Sequence, residues 1–214
     1  MHIPKHIAII PDGNRRWARH NGMEKQDGYH YGLTPGVTVL RLAQAYGIDE
    51  ITYYGFTTDN VKRPSAQVNA FSKACVDAIG LIMQEDVQLL VVGNTNSPAF
   101  PKALLPYTQK RISFGNGTIK VNFLVNYGWE WDMSHMHTAS ANRNTIADNL
   151  HSREISRIDL IMRWGGHTRL SGLLPVQSVY ADFYSIDTLW PDFKSEEFVE
   201  GLAWYGKQDV TLGG

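Results

Sequence analysis

Five near-continuous apolar runs set the tightest limit on what this chain can fold into: HIAIIP (6–11), EITYYGF (50–56), VQLLVVGN (87–94), TIKVNFLVN (118–126) and IDLIMRW (158–164). Each is too short for a core helix. None alternates apolar with polar as a strand with one wet face would, so they read as strands covered on both faces. Between them lie stretches of helical character. TPGVTVLRLAQAYG (34–47) closes on a glycine, SAQVNAFSKACVDAIGLIMQ (65–84) starts at Ser65 as an N-cap after Pro64, and NRNTIADNLHSREI (142–155) is a more polar helix. SPAFPKALLP (97–106), with three prolines, reads as a loop. Strand alternating with helix predicts an α/β fold: a parallel-type central sheet with helices on both faces. With 214 residues and no linker or repeat, the chain reads as one domain, 1–214. In such sheets ligands bind beyond the carboxyl ends of the strands.

The formal net charge is −1, so no global basic field points to nucleic acid, and any anion site has to be a local cluster. A single cysteine, Cys75, leaves no internal disulfide or cysteine zinc site and suits a reducing compartment. Cys75 itself reads as an inert core residue. Met1 to Ile10 is broken by His2, Pro4, Lys5 and His6 and does not read as a signal peptide. No apolar run approaches the ~18 residues of a membrane span. A cytoplasmic protein with no stable membrane insertion is expected.

Three strand ends carry chemistry. In AIIPDGNRRWA (8–18) a buried strand runs into a turn and then a helix, the arrangement that binds anions. Gly13 allows close approach, Asn14 can donate, and Arg15 and Arg16 bring cationic forks for phosphate. Asp12 would repel a phosphate unless a divalent cation lies between them, as Mg²⁺ does when held by carboxylate and substrate phosphates; a simple helix cap is the plainer reading of it. In MRWGGHTRLSG (162–172), Arg163, Arg169 and Ser171 gather round a Gly-Gly turn. TTDNVKRPSAQ (57–67) adds Asn60 and Arg63. That is more donors than one phosphate needs and suits two polyphosphate ligands side by side.

With DGNRRWA, the R-x-G-G-x-x-R-L-S pattern and LWPDF (189–193) in that order, and with YYGFTTDNVKRP, NFLVNYG and SVYADFY between them, the chain resembles the cis-prenyltransferase (undecaprenyl and Z-isoprenyl diphosphate synthase) family along most of its length. The resemblance implies a Mg²⁺-dependent enzyme that joins an allylic diphosphate to a second prenyl diphosphate and releases diphosphate, usually as a homodimer. It implies Asp12 as the Mg²⁺ ligand, and Gly13, Asn14, Arg15 and Arg16 around the allylic diphosphate, with Trp17 in the same loop and Arg63 nearby. It implies Asn60 in catalysis with the Thr57 hydroxyl beside it. Arg163, Arg169 and Ser171 fall on the second diphosphate site, and Asp182, where the family has glutamate, on a second metal position. An apolar pocket lined by the helices at 34–47 and 65–84 would hold the hydrocarbon tail.

The departures from the family pattern cluster at this site. Pro11 replaces a common methionine, Lys25 a frequent arginine, Tyr29 a frequent histidine and Val61 a tryptophan. Trp129 and Glu130 replace Gly-Arg, Trp164 a small polar residue and His167 an acidic one. Trp129, Trp131 and Trp164 read either as packing or as π faces toward a carbocation. His167 reads as a hydrogen-bonding or proton-moving group, and Glu130 as a general base or an ion-pair partner. Asp132, His135 and His137 read as a polar helix surface. In LWPDF, Trp190 and Phe193 are expected to pack and Asp192 to cap the next segment. A shrunken pocket of this kind resembles the short-chain irregular branch of lavandulyl type, in which dimethylallyl diphosphate is attacked at its middle carbon. Regular Z-elongation with isopentenyl diphosphate, a non-catalytic partner subunit and a diphosphate hydrolase are the alternatives.

Overall fold

The computed structural model describes residues 2–136 and 142–209. Seven strands form one sheet: β1 (His6–Ile10), β2 (Glu50–Thr57), β3 (Val87–Val92), β4 (Ile112–Phe114), β5 (Ile119–Tyr127), β6 (Leu160–Trp164) and β7 (Asp182–Ile186). Their order is β4-β3-β5-β2-β1-β6-β7, and every pairing is parallel except β3 with β4. All five predicted runs are strands. The short edge strands β4 and β7 carry no continuous apolar run and escape a sequence reading. β1 lies between β2 and β6, so the chain leaves it toward one side of the sheet and later returns on the other. That is a topological switch point, and it puts the loops after β1, β2 and β6 side by side.

Alternate β1 residues feed two cores, as the strand period of two requires. Ile7 and Ile9 join one with Val39, Leu40, Cys75, Ile79, Phe198 and Leu202, while Ala8 and Ile10 join the other with Tyr54, Leu124, Tyr127, Ile158 and Leu173. The first core is roofed by α3 (Leu33–Ala45), α4 (Ser65–Ile82) and α7 (Ser195–Tyr205). α3 stops where Gly47 takes a left-handed φ of 71°. Ser65 is the first residue of α4, and Pro64 holds the cap position. The second core is covered by the short α5 (Trp129–Asp132), through Trp131, and by irregular chain around Ile155–Ile158 and Leu173–Ala181. The polar helix expected over 142–155 is confined to α6 (Arg143–Asp148), and the proline-rich 97–106 includes most of a 3₁₀ turn, Lys102–Tyr107. α1 (Asn14–His20) and α2 (Gly28–Tyr31) flank the carboxyl end of β1. Among the described residues no helix is long and apolar enough to cross a membrane.

A buried polar network ties the amino ends of the strands together. His6 Nδ1 faces the carbonyls of Ser156 (3.1 Å) and Arg157 (3.2 Å), and its Nε2 meets Thr52 Oγ1 at 2.8 Å. That pattern assigns the proton to Nδ1 and leaves Nε2 as acceptor. Asn122 completes the network by donating to Thr52 Oγ1 (3.0 Å) and Glu50 Oε1 (2.7 Å). Burial lowers the His6 pKa, against the raising pull of Glu50. The unfolded chain accepts a proton below about pH 6.5 that the folded chain resists, so stability falls as the pH falls through that value. Between pH 7.5 and 5.5 the wild type should lose about 1 kcal/mol more unfolding free energy than His6→Gln, read from denaturant melts at both pH values. Parallel pH dependence in the two proteins would contradict this.

Candidate active site

The switch point opens into two joined chambers. The polar one, about 490 Å³, is lined by the loops after β1 (Asp12, Gly13, Asn14, Arg15, Arg16), β2 (Thr57, Asp59, Asn60, Arg63) and β6 (Arg163, His167, Arg169, Ser171), with Tyr29, Tyr54 and Phe71. The apolar one, about 70 Å³, runs between sheet and helices past Leu33, Val37, Tyr53, Ala74, Cys75, Ala78, Ile82 and Phe123. Pro11, Asn14, Tyr29, Gly55 and Phe71 line both and form the neck. Adjacent residues of β2 face opposite sides, Tyr53 into the apolar chamber and Tyr54 into the polar one.

Arg163 organises the polar chamber. Its guanidinium is buried and donates from Nη2 to Asp12 Oδ2 (2.8 Å), and from Nη1 to Ser171 Oγ (2.9 Å) and the Arg169 carbonyl. Arg16 donates to the Gly165 carbonyl at 2.8 Å and lies 3.5 Å from Asp12 Oδ1. Burial alone would raise the Asp12 pKa; the hydrogen bond and charge of Arg163, with Arg16, outweigh it and hold the carboxyl below its ordinary value. Asp12 is therefore an ionised, partly exposed hard oxygen donor facing a cavity rich in arginines. That fits Mg²⁺ held by one carboxylate plus substrate phosphates. No cluster of three or more metal-ligating side chains exists among the described residues. Gly13 (φ 113°) starts the seven-residue α1, which is too short to add much dipole, so the arginines supply most of the field. Gly165, at φ 86°, brings the backbone against Arg16 and Asp12, where a Cβ would meet the Arg16 guanidinium and lie 3.1 Å from the Asp12 carbonyl oxygen.

At the neck, Arg63 Nη1 donates to the Tyr29 hydroxyl (2.9 Å), and the Tyr29 ring stacks on Phe71 at 4.4 Å and 4°. Asn60 Oδ1 accepts the Thr57 N–H (3.1 Å) in a capping box that closes the 3₁₀ turn Thr58–Lys62, leaving its amide NH₂ for the chamber. Arg15 donates to Gln67 (3.2 Å). Burial and the neighbouring Arg169, Arg16 and Arg163 lower the His167 pKa and so favour the neutral imidazole, while Asp12 pulls the other way. Two cation-rich loops on either side of one carboxylate, opening on an apolar sleeve, make a site for an amphiphile with an anionic head.

Residues 10–213 match the sequence model of the Prenyltransf family, described as "Putative undecaprenyl diphosphate synthase". The chain belongs to the cis-prenyltransferase family. A ditrans,polycis-undecaprenyl-diphosphate synthase of Haemophilus influenzae is 31% identical over 235 residues, spanning 99% of this chain and 96% of that protein. An isoprenyl transferase of Listeria monocytogenes is 31% identical over 231 residues, spanning 99% and 91%. Among solved structures, lavandulyl diphosphate synthase from Lavandula x intermedia, in complex with dimethylallyl diphosphate, shares the fold with a TM-score of 0.87 at 22% identity and 99% coverage of both chains.

The cis-prenyltransferase chain gathers most, but not all, of the residues expected at its site. Asp182 is a correction. It opens β7 opposite Leu160, whereas Arg163 pairs with Ser185, so Asp182 lies three rungs away, about 10 Å down the sheet toward the amino ends. It shares no chamber with Asp12. Trp17 also turns away, donating to Asp192 (2.6 Å) and packing on Tyr31; Asp192 thus holds Trp17 and does not cap α7, whose cap position is Lys194. Lys25 is exposed outside the chambers, and Glu130 is exposed on α5 without lining either. Asp132, expected on a polar surface, is buried and accepts from the Tyr127 hydroxyl (2.7 Å) and from Ser152; His137 lies outside the described residues. Tyr54, Phe71 and Trp190 are site-lining residues that the motif reading passes over. Tyr54 was findable from the two-residue strand period next to Tyr53; Phe71 and Trp190 carry no such signal.

Trp164 is a core residue. Its side chain is fully buried, donates Nε1 to Glu197 (3.1 Å) and packs edge-on against Trp190 at 4.9 Å. No π face is left for a carbocation. Trp164→Phe should lower stability by about 1–3 kcal/mol while kcat stays within about threefold. A variant of unchanged stability with a hundredfold lower kcat would return this tryptophan to the chemistry.

Proposed function

We propose that the protein is a short-chain prenyl diphosphate synthase that couples two C5 diphosphates, with dimethylallyl diphosphate accepted at both positions in head-to-middle fashion. The observation that carries this reading is the size of the apolar chamber behind the neck. At about 70 Å³ it holds only a few water-sized groups, the scale of a single short prenyl unit and not of a long hydrocarbon tail. The polar chamber, by contrast, is large enough for two diphosphate heads. The lavandulyl diphosphate synthase fold, described with dimethylallyl diphosphate bound, supports the irregular form. The 31%-identical undecaprenyl and isoprenyl relatives support regular elongation with isopentenyl diphosphate as the second reading.

The chemistry follows from the lining. The allylic C1–O bond breaks, its electron pair leaves with diphosphate, and positive charge spreads over the allyl fragment. Arg15, Arg16 and Arg63 face the head group and stabilise the charge that develops on the leaving oxygen. Mg²⁺, when held by Asp12, supplies Lewis-acid polarisation of the leaving group. The alkene of the second diphosphate, held by Arg169 and Ser171, attacks the allyl carbon, and the new carbocation loses a proton. The two carboxylates lining the polar chamber are already engaged, Asp12 by Arg163 and Asp59 by Lys62 (2.7 Å), so the released diphosphate is the base this arrangement favours, with His167 beside it. Tyr29 and Phe71 keep the reacting carbons out of water. The test is incubation with Mg²⁺ and dimethylallyl diphosphate alone, with isopentenyl diphosphate added in parallel, then phosphatase treatment and mass spectrometry of the alcohols. A C10 alcohol from dimethylallyl diphosphate alone is expected. Product only when isopentenyl diphosphate is present would select regular elongation, and free C5 alcohol released without phosphatase, with no coupling, would overturn both readings.

A further inference from the structure

We propose that Tyr54 is a positioning residue for the acceptor diphosphate: its hydroxyl, by holding the Ser171 carbonyl, keeps the loop over 165–174 in the shape that presents Arg169 and Ser171 to the anion. This rests on the reading of the polar chamber as a diphosphate site. The loop needs holding, because it is built from backbone that reverts when released. Ser171 sits at φ 53° and Leu174 at φ 33°, left-handed conformations that non-glycine residues adopt at a cost and only where surroundings impose them.

Two side chains impose the shape from opposite sides. Arg163 takes the loop from below through Ser171 Oγ and the Arg169 carbonyl. Tyr54 takes it from the β2 side, donating to the Ser171 carbonyl at 2.6 Å. Trp129 closes the top, its Cδ1 lying 3.0 Å from where a Cβ on Gly172 would stand. Tyr54 is itself well anchored. Its ring meets Tyr127 edge-on (6.2 Å, 76°), and the Tyr127 hydroxyl donates to the buried Asp132, which also accepts from Ser152 N (2.8 Å) and Oγ (2.6 Å). Although Tyr54 lines the chamber, its single proton is committed to Ser171, so it orders the loop and does not itself donate to a phosphate. Burial pushes its pKa up, with Asp59 and Glu130 adding to the effect, so it remains a donor throughout the working pH range.

The test is Tyr54→Phe, which removes the hydroxyl and keeps the ring against Tyr127. The KM for the acceptor diphosphate (isopentenyl or dimethylallyl, whichever the wild type couples) should rise about tenfold, as expected for one lost hydrogen bond to a loop that binds a charged group. The kcat should stay within about threefold, and affinity for the allylic diphosphate should not change. Combined with Ser171→Ala, the effect should be clearly less than the product of the two single effects, because both act through one loop. A fall in kcat and a rise in both KM values that track a lower melting temperature would assign Tyr54 to stability alone and overturn the proposal, as would an unchanged KM. If the wild type couples nothing, calorimetric titration with inorganic diphosphate in Mg²⁺ separates the two failures. Tenfold weaker binding by Tyr54→Phe upholds the positioning role while the reaction reading falls, and equal binding overturns the positioning role. No binding by the wild type overturns the anion site and the proposal with it.

Discussion

Asp12→Asn should reduce kcat by about a thousandfold or more while leaving the fold intact. The asparagine keeps an acceptor oxygen for Arg163 Nη2, so the 2.8 Å contact can persist, and the change in unfolding free energy should stay near 1 kcal/mol. What is lost is the anionic oxygen facing an arginine-lined cavity. On the proposed reading Mg²⁺ would then have only substrate phosphates to hold it, and the stabilisation of charge on the leaving diphosphate would fall by about 4 kcal/mol. The check is steady-state turnover over a range of Mg²⁺ concentrations. Excess Mg²⁺ should restore part of the activity, whereas full activity at every concentration would remove Asp12 from the chemistry.

Arg163→Met should be nearly as damaging, for a different reason. The methionine fills much of the buried volume but makes none of the three contacts, to Asp12, Ser171 Oγ and the Arg169 carbonyl. Both halves of the site then lose their common tie, and kcat/KM should fall by about 10²–10⁴. Arg163→Lys should rescue little, because one ammonium cannot reproduce a fork that spans three acceptors. The pH profile distinguishes this from simple unfolding. Arg163 and Arg16 hold the Asp12 pKa down against burial; with Arg163 gone, only Arg16 and the Gly13 N–H are left to oppose burial, and the carboxyl protonates at higher pH. Residual activity in the variant should therefore gain an acid limb above about pH 4 that the wild type lacks. An unaltered profile would mean that Arg163 does not control Asp12.

Most of the site was legible because it is written in strand ends. The apolar runs located β1, β2 and β6, and the polar residues that interrupt them, Asp12, Asn60 and Arg163 among them, fell into place once those strands proved adjacent. Adjacency itself was not readable. It comes from the sheet order β2-β1-β6, which is a long-range pairing. The same limit explains the errors. Asp182 sits in a segment with the right local pattern, but register puts it at the wrong end of β7. Trp164 follows Arg163 directly, and the strand period turns it to the opposite face of the sheet, into the core. Trp17 and Asp192, 175 residues apart, satisfy each other, a pairing no local pattern encodes. The burial of Asp132 is not legible in its own segment, because its donors, Tyr127 and Ser152, lie elsewhere in the chain.

The central claim, that the apolar chamber admits one prenyl unit, is tested most directly by product length. The enzyme would be given dimethylallyl, farnesyl and isopentenyl diphosphates together in Mg²⁺, and the dephosphorylated products resolved by mass spectrometry. The account predicts C10 alcohol and farnesyl diphosphate left unextended. Polyprenyl products of C20 or longer would contradict it.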